Sequence, residues 1–321
     1  MQMSFSANIK EELENQMGSA RHCMIAELTA IISMCGSVAV GIRGEYSVKI
    51  RTENLVVARK SFTLLEKTFN IRTDIAIRMN RAKGSIAYFL FIRDHNDAVR
   101  VLQATKLIDD NGEIAEELSV VKNIVLQEMC CKRAFLRGAF LASGSMSDPE
   151  KSYHFEIVCS YMGKAEQIQR IMQCCNLDGK IVRRKKTFVV YLKDGSQIVD
   201  VLNVMGAHQA LMELENIRIL KEMRNSVNRQ VNCETANINK TVSAAVKQIE
   251  DIKFIEETKG LEYLPDALKD MAITRVTYPE ATLKELGSLL TPPVGKSGVN
   301  HRLRKLSEMA EKLRAKQGGS L

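Results

Sequence analysis

The sequence predicts an α+β fold: a duplicated unit of helix, two strands, helix, two strands and helix, followed by an all-α helix-turn-helix domain. Two observations carry that prediction. LTAIISMCGS (28–37) and LRGAFLASGS (136–145) share Leu at the first position, Gly at the ninth and Ser at the tenth, and each heads a similar run of strand and helix patterns. From about Ala210 the strand patterns stop, and four of the five prolines fall between 265 and 293. At 321 residues the chain exceeds the usual size of a single core, so more than one domain is expected.

In the first half the motif is followed by extended stretches at SVAVGI (37–42) and EYSVKIRT (45–52), then the helical NLVVARKSFTLLEKTF (54–69). Two strands in RTDIAIRM (72–79) and SIAYFLFIR (85–93) and a helix over 95–106 complete it. The second half repeats that order: an extended stretch near 145–148, YHFEIVCSY (153–161), GKAEQIQRIMQCC (163–175), GKIVRR (179–184), KTFVVYLK (186–193) and a helix from Ser196 to about Met205. Alternation marks the strands. Phe155 and Ile157 oppose His154 and Glu156, and Thr73, Ile75 and Ile77 oppose Arg72, Asp74 and Ala76. Arg43-Gly44, Lys83-Gly84, Asp178-Gly179 and Asp194-Gly195 offer glycine where a turn with positive φ is expected.

Beyond the duplicated unit, LMELENIRILKEMRNSVNRQVN (211–232) reads as an amphipathic connector and INKTVSAAVKQIEDIKFIEE (238–257) as a further helix. Pro265 suits the first position of a helix running to about Val276. Thr282 with Glu285 forms a capping-box pattern, and the helix it opens is stopped by Pro292-Pro293. Val299, Leu303, Leu306, Met309, Ala310 and Leu313 then line one face of a last helix, so a short helix, a turn and a basic helix follow one another. The expected divisions are 1–20, an N-terminal helix; 21–115 and 116–210, the two halves; 211–235, the connector; and 236–321, the helix-turn-helix domain.

Charge points toward a polyanion. Lys and Arg total 46 against 38 Asp and Glu, a formal net charge of +8. From Val294 to Lys316 the cations are Lys296, Arg302, Arg304, Lys305, Lys312, Arg314 and Lys316, against Glu308 and Glu311 alone. Lys296, Ser297, Asn300, His301 and Arg304 lie off the apolar stripe, where the first turns of a recognition helix meet base edges. Thr282 and Lys284 are placed for phosphates, and Arg302 and Lys305 complete the candidate set. A second DNA surface is suggested by Arg72, Arg78, Arg81 and Lys83 in one half and Lys180, Arg183, Arg184, Lys185 and Lys186 in the other. Solubilising charge on hairpin tips is the competing reading, and Asp74 and Glu156 have the wrong sign for DNA. No apolar run reaches membrane-spanning length and the first residues lack a signal-peptide layout, so a cytoplasmic protein is expected, and the DNA-binding reading puts it at the nucleoid.

The two motifs resemble the LAGLIDADG helices of homing endonucleases. There, paired helices pack through small residues and the eighth position of each brings a carboxylate to shared divalent metal ions. Here the eighth positions are Cys35 and Ser143 and the sixth are Ser33 and Leu141, and Glu27 and Asp148 lie outside the motif core. No catalytic residue, metal or cofactor is therefore expected, while Ala30, Gly36, Gly138, Ala142 and Gly144 keep the packing role. The eight cysteines include no C-x-x-C pair, and adjacent thiols such as Cys130-Cys131 and Cys174-Cys175 project to different sides of a helix. Reduced, mostly buried thiols are expected.

The order of SFSANIKEEL, the degenerate first motif, CCKRAFLRGAFLASGS, NCETANINKTVSAAVKQIEDI and LKELGSLLTPPVGKSGVNHRLRKL resembles the WhiA family over essentially the whole chain. The resemblance implies a bacterial, non-enzymatic DNA-binding regulator with an inert LAGLIDADG-like domain and a C-terminal helix-turn-helix, whose DNA-binding segment carries over to about Ala281–Arg314. Its implied partners are double-stranded DNA and other regulators or division proteins. Its implied roles are transcription regulation in cell division, chromosome segregation and, in sporulating species, sporulation. Two alternatives stay open on the residues alone: a metal-dependent endonuclease, and a LAGLIDADG-like module serving as a protein-interaction or ligand-sensing adaptor.

Overall fold

The computed structural model describes residues 4–18, 20–80, 84–108 and 123–318. It divides into two compact units, Met1–Lys221 and Glu222–Leu321. Among the described residues no helix is long and apolar enough to cross a membrane.

The first unit opens with α1 (Phe5–Asn15), whose Ser4 hydroxyl accepts a hydrogen bond from the Ala7 N–H at 3.3 Å. The first half is α2 (Arg21–Cys35), β1 (Gly36–Val40), β2 (Tyr46–Thr52), α3 (Leu55–Phe69), β3 (Asp74–Asn80), β4 (Ser85–Ile92) and α4 (His95–Ala104). The second is α5 (Met129–Ser143), β5 (Gly144–Met146), β6 (Phe155–Cys159), α6 (Met162–Cys174), β7 (Lys180–Arg184), β8 (Thr187–Leu192) and α7 (Gly195–Met205). The halves match in detail. Both sheets are antiparallel and ordered alike, β1-β2-β4-β3 and β5-β6-β8-β7. Asp94 and Asp194 cap the corresponding α4 and α7, while left-handed Asn70 and Asn176 follow the corresponding α3 and α6. The duplicated α+β architecture is thus as the sequence predicts.

α2 and α5 pack against each other, and their small residues do two different jobs. A Cβ on Gly138 would strike the Glu27 carbonyl oxygen and come 3.0 Å from the Ala30 Cβ, so Gly138 permits the close approach. Gly36 and Gly144 do not serve that contact, since a Cβ there would meet Ile32 and Phe140 of their own helices. They instead end each helix where the following strand begins.

Three local readings change. Ile75 and Ile77 pair laterally with Leu90 and Tyr88, on the core-facing side, yet are 54% and 65% exposed because β3 is the sheet edge. Gly44 and Gly84 take positive φ as expected, but Gly179 and Gly195 do not; Lys185, at φ 56°, turns the β7–β8 hairpin. Lys83 lies outside the described residues. Of the eight thiols, Cys23, Cys131 and Cys159 are buried, while Cys130, Cys174 and Cys233 are exposed, so burial is not the rule.

Between Ala210 and Lys259 the predicted connector and further helix are parts of one helix, α8 (His208–Lys259). No proline or glycine interrupts Cys233–Asn237, so nothing there breaks the backbone ladder. The second unit adds α9 (Asp266–Thr277), α10 (Leu283–Leu289) and α11 (Lys296–Gly318). Pro265 is the N-cap of α9 rather than its first residue. Ile252 and Ile255 of α8, Leu268 and Met271 of α9, Leu286 of α10, and Val299, Leu303 and Leu306 of α11 share one core. Each fully buried side chain of this kind contributes roughly 1.5–3 kcal/mol.

Candidate nucleic-acid interface

The sequence between α9 and α11 builds a rigid mount for the last helix. Thr282 and Glu285 form the predicted capping box: the Glu285 N–H donates to the Thr282 hydroxyl at 3.3 Å and the Thr282 N–H to the Glu285 carboxylate at 2.8 Å. Hydrogen bonding from the Thr282 backbone and side chain holds the Glu285 carboxyl below the usual carboxylate range. Arg275 of α9, only 3% exposed, donates to the Ala281 carbonyl at 2.7 Å and fixes the approach to α10. Between α10 and α11 the Val294 N–H donates to the Gly287 carbonyl at 2.9 Å. A Cβ on Gly287 would strike the Val294 carbonyl, so the turn requires glycine there.

On α11 the predicted apolar stripe is buried at Val299, Leu303, Leu306 and Ala310 and half-buried at Met309 and Leu313. The other side carries the candidates. Lys296, Ser297, Asn300, His301, Arg304 and Lys305 are all exposed and occupy half the helix circumference. Arg304 is 79% exposed and engages Glu308 through Nε at 3.1 Å, a contact that does not use its two Nη groups. Lys284 is exposed near the start of α10, beside the Thr282 cap. Arg302 stands apart from this surface: it is half-buried, with Nη1 3.4 Å from the Ala267 carbonyl. Arg314 ties down the far end of the helix, 2.7 Å from the buried Asp251 carboxylate and over the Phe254 ring.

In the first unit the two sheets present different chemistry on the faces turned away from the core. On the first, Lys49, Arg51 and Arg78 surround the Phe89 ring at 5.4–6.0 Å, and Arg93 lies over Phe91 at 5.2 Å. The register places Lys49, Arg51, Phe89 and Phe91 on one side and Ile50 and Leu90 on the other. Asp74, the residue of wrong sign, is taken up by Arg93 at 2.8 Å. Arg72 and Arg78 are exposed. Arg81 and Lys83 lie outside the described residues.

The second sheet holds one of its own cations. Glu156 accepts from Ser145 and His154, each at 3.1 Å, and meets Arg184 at 3.2 Å. Burial works against its charge, but the His154 and Ser145 bonds with the Arg184 charge hold its carboxyl below the usual range. Arg184 is therefore committed, while Lys180, Arg183, Lys185 and Lys186 stay exposed on the β7–β8 hairpin. Sequence reasoning missed Lys49, Arg51 and Arg93. The signal was available: Lys49 and Arg51 alternate with Val48 and Ile50 along one strand.

The positions that would carry acids in an endonuclease hold other groups, and cations gather near one of them. Burial pushes the Cys35 thiol up to about 12 against the opposing charges of Lys10 and Lys164. Lys164 donates to the Ser33 carbonyl, and burial lowers Lys10 to about 8. Glu27 is spent elsewhere, fully buried with Lys60 at 3.2 Å and Arg137 at 3.1 Å. Lys60 also donates to the Leu13 and Glu14 carbonyls at 3.1 and 3.2 Å. The Asp148 carboxylate accepts from the Glu150 N–H at 3.0 Å within its own turn.

Three family models match the chain: the WhiA N-terminal LAGLIDADG-like domain over residues 21–108, the WhiA LAGLIDADG-like domain over 132–224 and the WhiA C-terminal HTH domain over 227–310. The probable cell division protein WhiA of Lachnoclostridium phytofermentans is 56% identical over 97% of this chain and 100% of its own length. That of Alkaliphilus oremlandii is 48% identical over 97% and 98%. The crystal structure of full-length DUF199/WhiA from Thermatoga maritima superposes with a TM-score of 0.58 at 25% identity, covering 97% of this chain and 99% of that one.

Proposed function

The chain belongs to the WhiA family, and from that premise we propose that it is a non-enzymatic, sequence-specific DNA-binding regulator in which α11 reads the major groove. One observation carries the reading: the exposed run of Lys296, Ser297, Asn300, His301, Arg304 and Lys305 on a helix whose opposite side is core. Asn300 has the chemistry to pair with adenine and Arg304 with guanine, each good bidentate contact discriminating by about 1–3 kcal/mol. Thr282 and Lys284, at the start of α10, are assigned to backbone phosphates, while Arg302, half-buried against the Ala267 carbonyl, is left out of that surface. In this reading residues 1–20 are an N-terminal helix, 21–115 and 116–210 the two halves, 211–235 a connector and 236–321 the reading domain.

The curated relatives are named probable cell division proteins, and cell division is the process we assign to this chain. Transcription regulation is the mode of action, with chromosome segregation and, in sporulating hosts, sporulation as further outputs, exercised on double-stranded DNA at the nucleoid. Catalysis has no part in this reading. Hard divalent cations need oxygen anions, and the eighth motif positions offer Cys35 and Ser143, with Lys10 and Lys164 acting on Cys35.

A second surface has its own support. The cations Lys49, Arg51, Arg78 and Arg93 over two phenylalanine rings suit a polyanion backbone, so the first sheet serves as an auxiliary DNA contact. Genome-wide mapping of binding sites, with the intact protein and with Arg304→Ala at equal abundance, tests the assignment. A discrete set of sites that the variant abandons supports it; the same sites at the same occupancy would refute it.

A further inference from the structure

Residues far apart in sequence meet where the two motif helices begin. His22 and Cys23 lie in the first turn of α2, and Cys130 and Cys131 in the first turn of α5. One ligand atom from each of the four, a ring nitrogen and three sulfurs, lies within 4.8 Å of every other. The His22 Nδ1 is 3.1 Å from the Cys131 Sγ and 3.5 Å from the Cys23 Sγ. Cys23 and Cys131 form the buried side of the cluster, and His22 and Cys130 the exposed side.

We propose that these four residues form a structural metal site of the Cys3His type, binding one zinc ion that fastens the head of α2 to the head of α5. The donor set is that of a closed tetrahedral zinc centre, and it leaves no position for water or substrate. With Zn–S near 2.3 Å, sulfurs in such a site stand about 3.8 Å apart. A cage 4.8 Å across at its widest is within about 1 Å of that spacing, a difference on the scale of side-chain rotation.

Three thiolates and one zinc ion sum to −1, and the cluster lies at the N-terminal ends of two helices, where unpaired backbone N–H groups favour negative charge. Neither helix has a side-chain cap hydrogen bond at that end. The site lacks the C-x-x-C knuckle because two helix starts supply it instead. Adjacent residues on one helix diverge by about 100°, but both reach a neighbour seated between them. A disulfide would use two of the three thiols and leave the third and the imidazole without a role.

The test uses the full-length protein, expressed with an enzymatically removed tag and purified without chelators or metal-affinity resin. Metal analysis should give about one zinc per chain, falling to about a tenth or less in Cys23→Ser and in Cys131→Ser, while Cys174→Ser and Cys233→Ser retain it. If the first two variants fail to fold, the wild-type chain still decides. Exchange of its zinc for cobalt should produce thiolate-to-cobalt charge transfer and the intense visible bands of tetrahedral coordination, at one equivalent. Wild-type protein that holds neither zinc nor tetrahedral cobalt, or whose Cys23 is found in a disulfide with Cys130 or Cys131, would overturn the assignment. So would zinc that persists undiminished in well-folded Cys23→Ser and Cys131→Ser.

Discussion

Glu27 and Arg137 face each other across the paired motif helices, the guanidinium 3.1 Å from a carboxylate with no exposed side-chain surface. Lys60 completes the group from α3, 3.2 Å from the other oxygen. A buried charge of this kind holds only while its partners remain, because removing one leaves the others desolvated and unpaired. Glu27→Gln should therefore lower the stability of the first unit by about 3–5 kcal/mol. Denaturant unfolding of the full chain, followed through probes in that unit, measures it; an unchanged midpoint would contradict the network.

Lys10 links stability to pH. Burial lowers it to about 8 from 10.5, so between those values the unfolded chain binds more protons than the folded one and this group makes stability rise with pH. Below about 8 its full cost is present, and above 10.5 it vanishes. Cys35, raised to about 12 from 9.0, acts in the opposite direction between those values, so the comparison must be made between chains that both carry it. Lys10→Met should stabilise the protein by on the order of 1–3 kcal/mol at pH 7, with the gain disappearing near pH 10.5. A gain independent of pH would mean that packing, not charge, is responsible.

Restoring acids to the motif should not restore a nuclease. In Cys35→Asp with Ser143→Asp the new carboxylate at 35 meets Lys10 and Lys164, which neutralise it before a divalent ion can. Supercoiled plasmid incubated with magnesium or manganese should stay intact. Metal-dependent nicking by purified double variant would show that two acids are all that catalysis lacks.

The two sheets should respond differently to charge reversal. Lys49→Glu with Arg51→Glu should weaken binding to long duplexes by roughly tenfold while leaving sequence preference alone, since phosphate contacts carry no base information. Arg184→Glu should have little effect on DNA, its guanidinium being already held by Glu156 at 3.2 Å. Equal losses from both changes would place the second sheet on the DNA as well.

What could be read in the sequence and what could not divide along a physical line. Alternation, capping residues and proline stops are local, and they located the strands of both halves, the Thr282 capping box and the α11 stripe. Long-range assembly was not legible. His22 and Cys131 are 109 residues apart, and nothing in either segment announces that α2 and α5 start side by side. The same limit hid the influence of Lys10 and Lys164 on Cys35, which depends on where α1 and α6 dock. It also hid the commitment of Arg302 and Arg314, counted among the cations of the basic helix, to Ala267 and Asp251. Edge position is another nonlocal property: Ile75 and Ile77 alternate as a buried face should, yet among the described residues no strand lies on the outer side of β3.

The central claim is that base recognition resides on the exposed side of α11. It is tested most directly by the ratio of specific to non-specific affinity, measured at one fixed salt concentration on a mapped genomic site and a scrambled duplex. Arg304→Ala and Asn300→Ala should each reduce that ratio by about 5–150-fold, the equivalent of one lost bidentate pair. Lys312→Ala should weaken both duplexes together and lower the salt slope by about one. A ratio left unchanged by both Arg304→Ala and Asn300→Ala would place sequence recognition elsewhere in the molecule.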